Sequence, residues 1–123
     1  MDLLNEYISL AIEEGETTLK GDYKRGNIIH SKLMKIIEKL KEEELNIRKQ
    51  FYTLMYHEND SVKIWTAATL LKTFNKEALA VLNDIKHRNR DIFALTAKDI
   101  IEIWKKGMLD HLIDWNCLDD KTL

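Results

Sequence analysis

The sequence predicts an all-α fold, a right-handed α-α superhelix of about three helical hairpins followed by a short C-terminal helix. Proline is absent and glycine occurs four times, a composition that suits continuous helices and not tight β-hairpins. Apolar residues recur at three- and four-residue spacing along most of the 123 residues, which is the helical period. Two segments in the second half of the chain also align with each other without gaps. These three observations together favour a fold built from repeated helical hairpins.

The first predicted hairpin joins two long helices, at about residues 3–20 and 23–43. Gly15 lies on the apolar stripe of the first helix, where it would let another helix approach closely. Gly21 suits the left-handed end of a helix, and Asp22 is a good cap for the next one. We expect this hairpin to cap the N-terminal end of the superhelix.

Four further helices and a tail follow. We expect helices at about residues 46–57, 62–74 and 76–88, and a sixth from a cap at Asp91 to about residue 106, ended by Gly107. Asp60 or Ser61 is the expected cap of the fourth helix, and Asn75 that of the fifth. The fourth helix is apolar around most of its circumference, which predicts that it lies at the centre of the fold. The chain is therefore expected to be one domain, 1–123, made of a capping hairpin, two repeats and a tail: 1–44, 46–74, 75–107 and 108–123.

The repeat relates residues 64–74 to residues 94–104, at an offset of 30 residues. Thr66-Ala67 aligns with Thr96-Ala97, followed in both copies by two aliphatic residues and later an aromatic one. Such an offset is typical of helical-hairpin repeats. The first copy also resembles the second-helix pattern of HEAT repeats, which has Asp, Val-Arg, Ala-Ala and Leu where this chain has Asp60, Val62-Lys63, Thr66-Ala67 and Leu70. That resemblance implies a HEAT- or armadillo-like superhelix.

The order of short motifs along the chain is similar to that in a family of small bacterial proteins catalogued only as a domain of unknown function. The motifs are Gly21-Asp22-Tyr23, Asn27, Leu54, His57, Val62-Lys63-Ile64-Trp65, Ala97-Lys98 and Trp104-Lys105-Lys106-Gly107. This resemblance implies a HEAT-like fold and no particular activity. In size and type the chain also resembles immunity proteins of bacterial toxin systems, which implies that it binds and neutralises one cognate toxin.

Composition and charge restrict the location and the partners of the protein. There are 19 basic and 21 acidic residues, a net charge of −2, so the chain lacks the basic excess of a typical nucleic-acid binder. Cys117 is the single cysteine, which favours a reducing compartment. The N-terminus has no signal-peptide pattern, and no apolar run approaches the roughly 20 residues needed to span a membrane. We therefore expect a cytoplasmic protein with no membrane association.

No motif indicates catalysis, a metal site or a cofactor, so we predict a protein that is not an enzyme, with no catalytic residues, metal ligands or cofactors. The four histidines are scattered, and no serine lies in a Gly-x-Ser-x-Gly elbow. The spacing of Asp110, His111, Asp114 and Cys117 could bring them to one helical face as zinc ligands. A solvated polar face explains these residues better, because metal sites usually lie on rigid elements and this helix is terminal.

Aromatic and acidic residues mark the candidate partner-binding surface. Trp65 lies off the main stripe of its helix, whereas Trp104 occupies a repeat position that suits the core. Trp115 beside Asp114 suits a basic partner surface with an apolar centre, although it could instead cover the end of the last hairpin. The predicted partner-binding residues are Trp65, Tyr56, Asp99, Glu102, Asp114 and Trp115.

The function favoured by these observations is protein binding, most concretely by an immunity protein that neutralises a toxin with a basic surface, such as a nuclease. We expect a monomer or a weak homodimer. Two alternatives stay open: an uncharacterised regulatory subunit, and a nucleic-acid-binding HEAT-like protein. The nucleic-acid-binding alternative would use the basic edge of the second helix to contact phosphates. This edge consists of Arg25, Lys32, Lys35 and Lys39. Nearby glutamates and the net negative charge argue against this alternative. An enzyme with an unrecognised site is a third hypothesis, supported only by stray histidines and aspartates.

Overall fold

The computed structural model of the protein describes residues 2–88 and 91–109, and every regular element in these two ranges is helical. The all-α fold class is therefore confirmed. A 3₁₀ turn, Leu54–Tyr56, follows the third helix. The α-helices of the described ranges are α1 (Leu3–Lys20), α2 (Tyr23–Leu40), α3 (Leu45–Thr53), α4 (Asp60–Thr69), α5 (Asn75–Arg88) and α6 (Ile92–Lys105).

The junction between α1 and α2 is formed by the residues that the sequence indicates. Gly21 ends α1 in the left-handed conformation, with φ 70° and ψ 23°, which glycine adopts without steric cost. The Asp22 side chain then caps α2 by accepting a hydrogen bond from the backbone N–H of Arg25 at 3.2 Å. The expected extent of α1 is confirmed, but α2 ends at Leu40 and does not continue to Glu43.

Two expectations for α4 are wrong. The cap is Asn59, not Asp60 or Ser61: its Oδ1 accepts a hydrogen bond from the Val62 N–H at 3.1 Å. The helix also ends at Thr69, so that residues 70–74 form turns and not the last helical turn. The Thr69 hydroxyl donates to the Trp65 carbonyl at 2.7 Å, which satisfies one carbonyl group of the last helical turn.

Other boundaries differ by smaller amounts. Residues 54–56 form the 3₁₀ turn and are not part of α3, whose end was expected at about residue 57. Asn75, expected as a cap, is the first residue of α5. The cap of α6 is Asp91 as predicted, accepting from the Phe93 N–H at 3.0 Å, and Gly107 follows that helix with φ 71°.

Helix α4 lies at the centre of the fold, as its sequence indicates. It packs against α1, α5, α6 and the 3₁₀ turn. Its residues Val62 and Ala67 are completely buried, as are Leu70 and Leu71 just beyond its end. The remaining buried side chains of α1, α2 and α5 join the same apolar core. The hydrophobic effect on this continuous core is the main force that holds the helices together.

Helices α1 and α4 approach each other closely at Gly15. A Cβ atom added to Gly15 would lie 2.7 Å from the Ser61 Cβ and 3.0 Å from its hydroxyl oxygen, too close for real atoms. The Ser61 hydroxyl donates to the Ala11 carbonyl on α1 at 2.7 Å. A second buried bond, 2.9 Å long, joins the Tyr7 hydroxyl of α1 to the Thr66 hydroxyl of α4. The absent side chain of Gly15 thus permits the contact, and two polar bonds set its register.

A candidate binding cavity between the helices

A largely apolar cavity of about 300 Å³ opens between α1, α2, α4 and α6. We call it the central cavity. Its volume lies at the lower end of the roughly 300–1,000 Å³ that ligand sites occupy. Most of its wall comes from α2, α4 and α6, which are the second helices of the three predicted hairpins. The apolar side chains of its wall are Met34, Ile37, Ile64, Trp65, Ala68, Phe93, Ile100 and Leu109.

Trp65 contributes an aromatic wall to the central cavity. The side chain is half-buried and packs against the apolar core. Its ring meets the His30 ring of α2 edge to face, with 5.3 Å between the ring centroids and 62° between the planes. The structure therefore places this predicted interface residue in a concave site between helices, where an aromatic ring can contact an inserted group on its face or edge.

Glu14 places a carboxylate in the same cavity. Its Oε2 atom is buried and has no hydrogen-bond partner among the described residues. Both carboxylate oxygens lie beside Gly26 of α2, 3.8 Å from where a Cβ on that glycine would stand. Burial raises the pKa of the Glu14 carboxyl above its ordinary value, because removal of water disfavours the charged form.

The hydroxyl groups around the cavity give Glu14 no donor. Each of them donates its proton to a backbone carbonyl, at distances of 2.7 to 3.0 Å. Their oxygens still keep lone pairs that can accept further hydrogen bonds. The four hydroxyl donors of the wall are thus already used: Thr18, Ser61, Thr69 and Thr96.

Glu14 is a site residue that the sequence interpretation missed. It follows Tyr7 by seven residues and Ala11 by three, and both of these are completely buried. That spacing puts the carboxylate on the inward side of α1. An acidic residue in register with the buried stripe of an amphipathic helix was therefore the available signal, but which helices would surround it could not be derived from α1 alone.

The predicted acidic residues Asp99 and Glu102 lie on the outward face of α6, and both are exposed. Three apolar side chains share this face at helical spacing: Ile92, Leu95 and Ile103, which are 38%, 58% and 39% exposed. We call these five residues the α6 outer face. It combines apolar area with carboxylates, the mixture expected for contact with a basic partner.

The remaining predicted partner-binding residues, Tyr56, Asp114 and Trp115, are not shown to join the α6 outer face. Tyr56 is 59% exposed, but it lies in the 3₁₀ turn, which packs against α3, α4 and α5. Asp114 and Trp115 fall outside the described residues. Trp104, expected in the core, is half-buried and packs against it.

The basic edge of α2 is partly neutralised. Lys32, Lys35 and Lys39 are exposed, but the Arg25 guanidinium pairs with both carboxylate oxygens of Glu13 on α1, at 2.7 and 3.0 Å. Both hydrogen bonds come from the same guanidinium nitrogen, Nη2, and the pair lies at the surface. Arg25 is therefore engaged within the fold, and the edge available to phosphates is reduced to the three lysines.

Comparison with known protein families, curated proteins and solved structures finds no significant match to the chain. Within residues 2–88 and 91–109, no three His, Cys, Asp or Glu side chains form a group that could hold a metal ion. The alternative zinc ligands, residues 110–117, fall outside these ranges. The described helices also include none with the length and apolar character needed to cross a membrane.

Proposed function

We propose that the protein is a protein-binding module, an immunity protein that neutralises a cognate bacterial toxin by covering it and that performs no chemistry of its own. The observation that carries this proposal is the central cavity, whose wall comes mostly from α2, α4 and α6 with a smaller part from α1. In a superhelix of helical hairpins, successive repeats create a concave surface that binds partners. The shared lining of α2, α4 and α6 is the arrangement that a short HEAT-like superhelix would produce.

The α6 outer face supports the same proposal and indicates the character of the partner. Exposed apolar side chains at helical spacing, Leu95 and Ile103 among them, give contact area. Asp99 and Glu102 between and beside them favour a basic surface, because complementary charge speeds association and excludes wrong partners. A toxin that binds nucleic acid, such as a nuclease, has a surface of this kind.

The test is coexpression with the toxin candidate encoded by the neighbouring reading frame. We expect the protein to restore growth of cells that produce the toxin and to form a stable complex with it. Trp65→Ala and the double variant Asp99→Lys/Glu102→Lys should each weaken the complex at least tenfold, the size of effect expected at interface hot spots. Continued killing by the toxin, together with recovery of the uncomplexed protein alone, would overturn the proposal.

A matched control separates a specific surface from a general charge effect. Glu42 and Glu44 are exposed in the connection between α2 and α3, far along the chain from α6. Glu42→Lys/Glu44→Lys changes the net charge by the same amount as the α6 variant. We expect this control to retain full affinity. Equal weakening by both double variants would show that only net charge matters and would exclude the α6 outer face as the contact.

A further inference from the structure

The central cavity holds one acidic group, Glu14, in a wall made otherwise of apolar side chains, four hydroxyl groups and the His30 ring. Glu14 lines it, and its Oε2 is buried without a hydrogen-bond partner in the described part of the chain. The residue as a whole is only half-buried, but a buried carboxylate oxygen is costly unless a cation or a donor accompanies it. The four hydroxyl groups of the wall donate elsewhere. A donor that enters from outside, with a positive charge and an apolar body, would satisfy the buried Glu14 oxygen.

We infer that the central cavity receives a lysine side chain of the protein partner, with its ammonium group on the Glu14 carboxylate. The assignment of this amine to a partner protein rests on the proposed function. Met34, Ile64 and Ile100 would contact the aliphatic part of the lysine side chain. The Trp65 ring would lie beside the cation, an arrangement that aromatic faces favour.

The acceptors of the cavity suit an ammonium group better than a guanidinium. An ammonium has three donors, whereas a guanidinium has five in a planar fork. The wall presents one carboxylate and the spare lone pairs of a few hydroxyl oxygens, Thr18 and Ser61 among them. An arginine in this cavity would leave several buried donors unsatisfied, which is costly. The cavity therefore selects lysine, and a basic partner surface is consistent with the carboxylates of the α6 outer face.

The experiment uses Nα-acetyl-lysine methylamide as the probe and its norleucine counterpart as the uncharged control. Each is titrated into the ¹⁵N-labelled full chain, with the Trp65 indole and the Ala68 amide as reporters by NMR. Trp65→Phe identifies the indole signal. For a single side chain we expect dissociation constants on the order of 1 mM, saturable shifts with the lysine probe, and at least tenfold weaker binding of the norleucine probe.

Two neighbouring glutamates provide the matched variants. Glu14→Gln keeps the size of the side chain and should abolish saturable binding of the lysine probe. Glu13→Gln removes the same charge from the adjacent residue, but Glu13 pairs with Arg25 at 2.7 Å and does not line the cavity. It should bind the probe with wild-type affinity. In the complex with the partner, Glu14→Gln should weaken binding at least tenfold and Glu13→Gln less than twofold.

The outcomes distinguish this inference from the proposed function. Toxin neutralisation without any Glu14-dependent probe binding would overturn the inference and leave the proposed function intact. Glu14-dependent probe binding, with partner affinity unchanged in Glu14→Gln, would overturn the assignment to a partner lysine and identify a free amine as the ligand. Trp65 signals that shift with protein concentration alone would identify a second copy of the chain as the occupant and would also overturn it.

Discussion

Helices α4 and α6 carry the same Thr-Ala pattern, but they occupy different environments. Ala67 and Ala97, at equivalent positions, are both completely buried. One residue earlier the two helices differ. The Thr66 hydroxyl forms a buried bond across to Tyr7 of α1, whereas the Thr96 hydroxyl bonds to the Ile92 carbonyl of its own helix. The pattern thus reproduces the small-residue contact in both copies but not the polar contact.

The difference follows from how extensively the neighbouring helices cover each one. Helix α4 packs extensively against both α1 and α5, whereas α6 packs extensively against α5, less against α4, and reaches α1 through Phe93. A repeat sequence can specify which side of a helix faces its own hairpin, but the neighbouring units decide whether the other side is also covered. In α6 the uncovered side carries the α6 outer face, which the proposed function assigns to the partner.

The largest expected difference in the free energy of unfolding comes from truncating the aliphatic residue that the two copies of the pattern share. Leu70 is completely buried, whereas Ile100 is half-buried at the wall of the central cavity. Leu70→Ala should lower the free energy of unfolding by about 3 kcal/mol. Ile100→Ala should lower it by about 1 kcal/mol, because the removed atoms are less completely buried. Urea denaturation followed by circular dichroism measures both, and equal losses would contradict the proposed difference in environment.

The next prediction concerns the glycines beside α4 and after α6. Gly15→Ala should cost about 2 kcal/mol, because the new Cβ would overlap the Ser61 Cβ. Gly107 has φ +71° and open space around it, so Gly107→Ala should cost only about 1 kcal/mol of backbone strain. Thermal denaturation compares the two. Adding Ser61→Gly to Gly15→Ala should recover part of the lost stability. Strictly additive effects of the two substitutions would show that overlap with the Ser61 side chain does not cause the loss.

The number and order of the helices within the described ranges could be predicted from the sequence, but some helix ends and the central cavity could not. Local signals suffice at Gly21 and Asp22, where the end of one helix and the cap of the next depend on adjacent residues. They fail at the end of α4: the chain turns after Thr69, and Phe74 packs edge to face against Tyr52 of α3, a residue distant in sequence, with 4.7 Å between ring centroids. Glu14 was missed for the same reason: its cavity exists only when four separate helices come together.

A smaller contrast is expected from removing one hydroxyl group. Thr66→Val should cost about 1–2 kcal/mol, because it leaves the buried Tyr7 hydroxyl without its partner. Thr96→Val should change stability by less than about 0.5 kcal/mol, since its hydroxyl bonds only within α6 near the surface. Chemical denaturation of the two variants tests this. In a double-mutant cycle, Tyr7→Phe should be much less costly in the Thr66→Val background, and full additivity would be incompatible with the bond.

The smallest predicted effect concerns the Glu14 carboxylate of α1, which lies beside α2 at the wall of the central cavity, and it depends on pH. Burial raises the Glu14 pKa in the folded protein above its ordinary value of 4.5, so folding favours the protonated form. The stability due to Glu14 is thus fully present below pH 4.5 and is lost as the pH rises through the folded pKa.

Glu14→Gln, which does not titrate, should therefore be more stable than the wild type at pH 7, by up to about 1 kcal/mol after allowance for solvent screening. This advantage should vanish as the pH falls to about 4, and urea denaturation at several pH values measures it. Glu13→Gln is the control: it loses an exposed ion pair with Arg25, so at pH 7 it should gain no stability. A pH-independent difference between Glu14→Gln and the wild type would show that the carboxylate is solvated, and the cavity would then lack the unsatisfied charge that an incoming ammonium group is expected to neutralise.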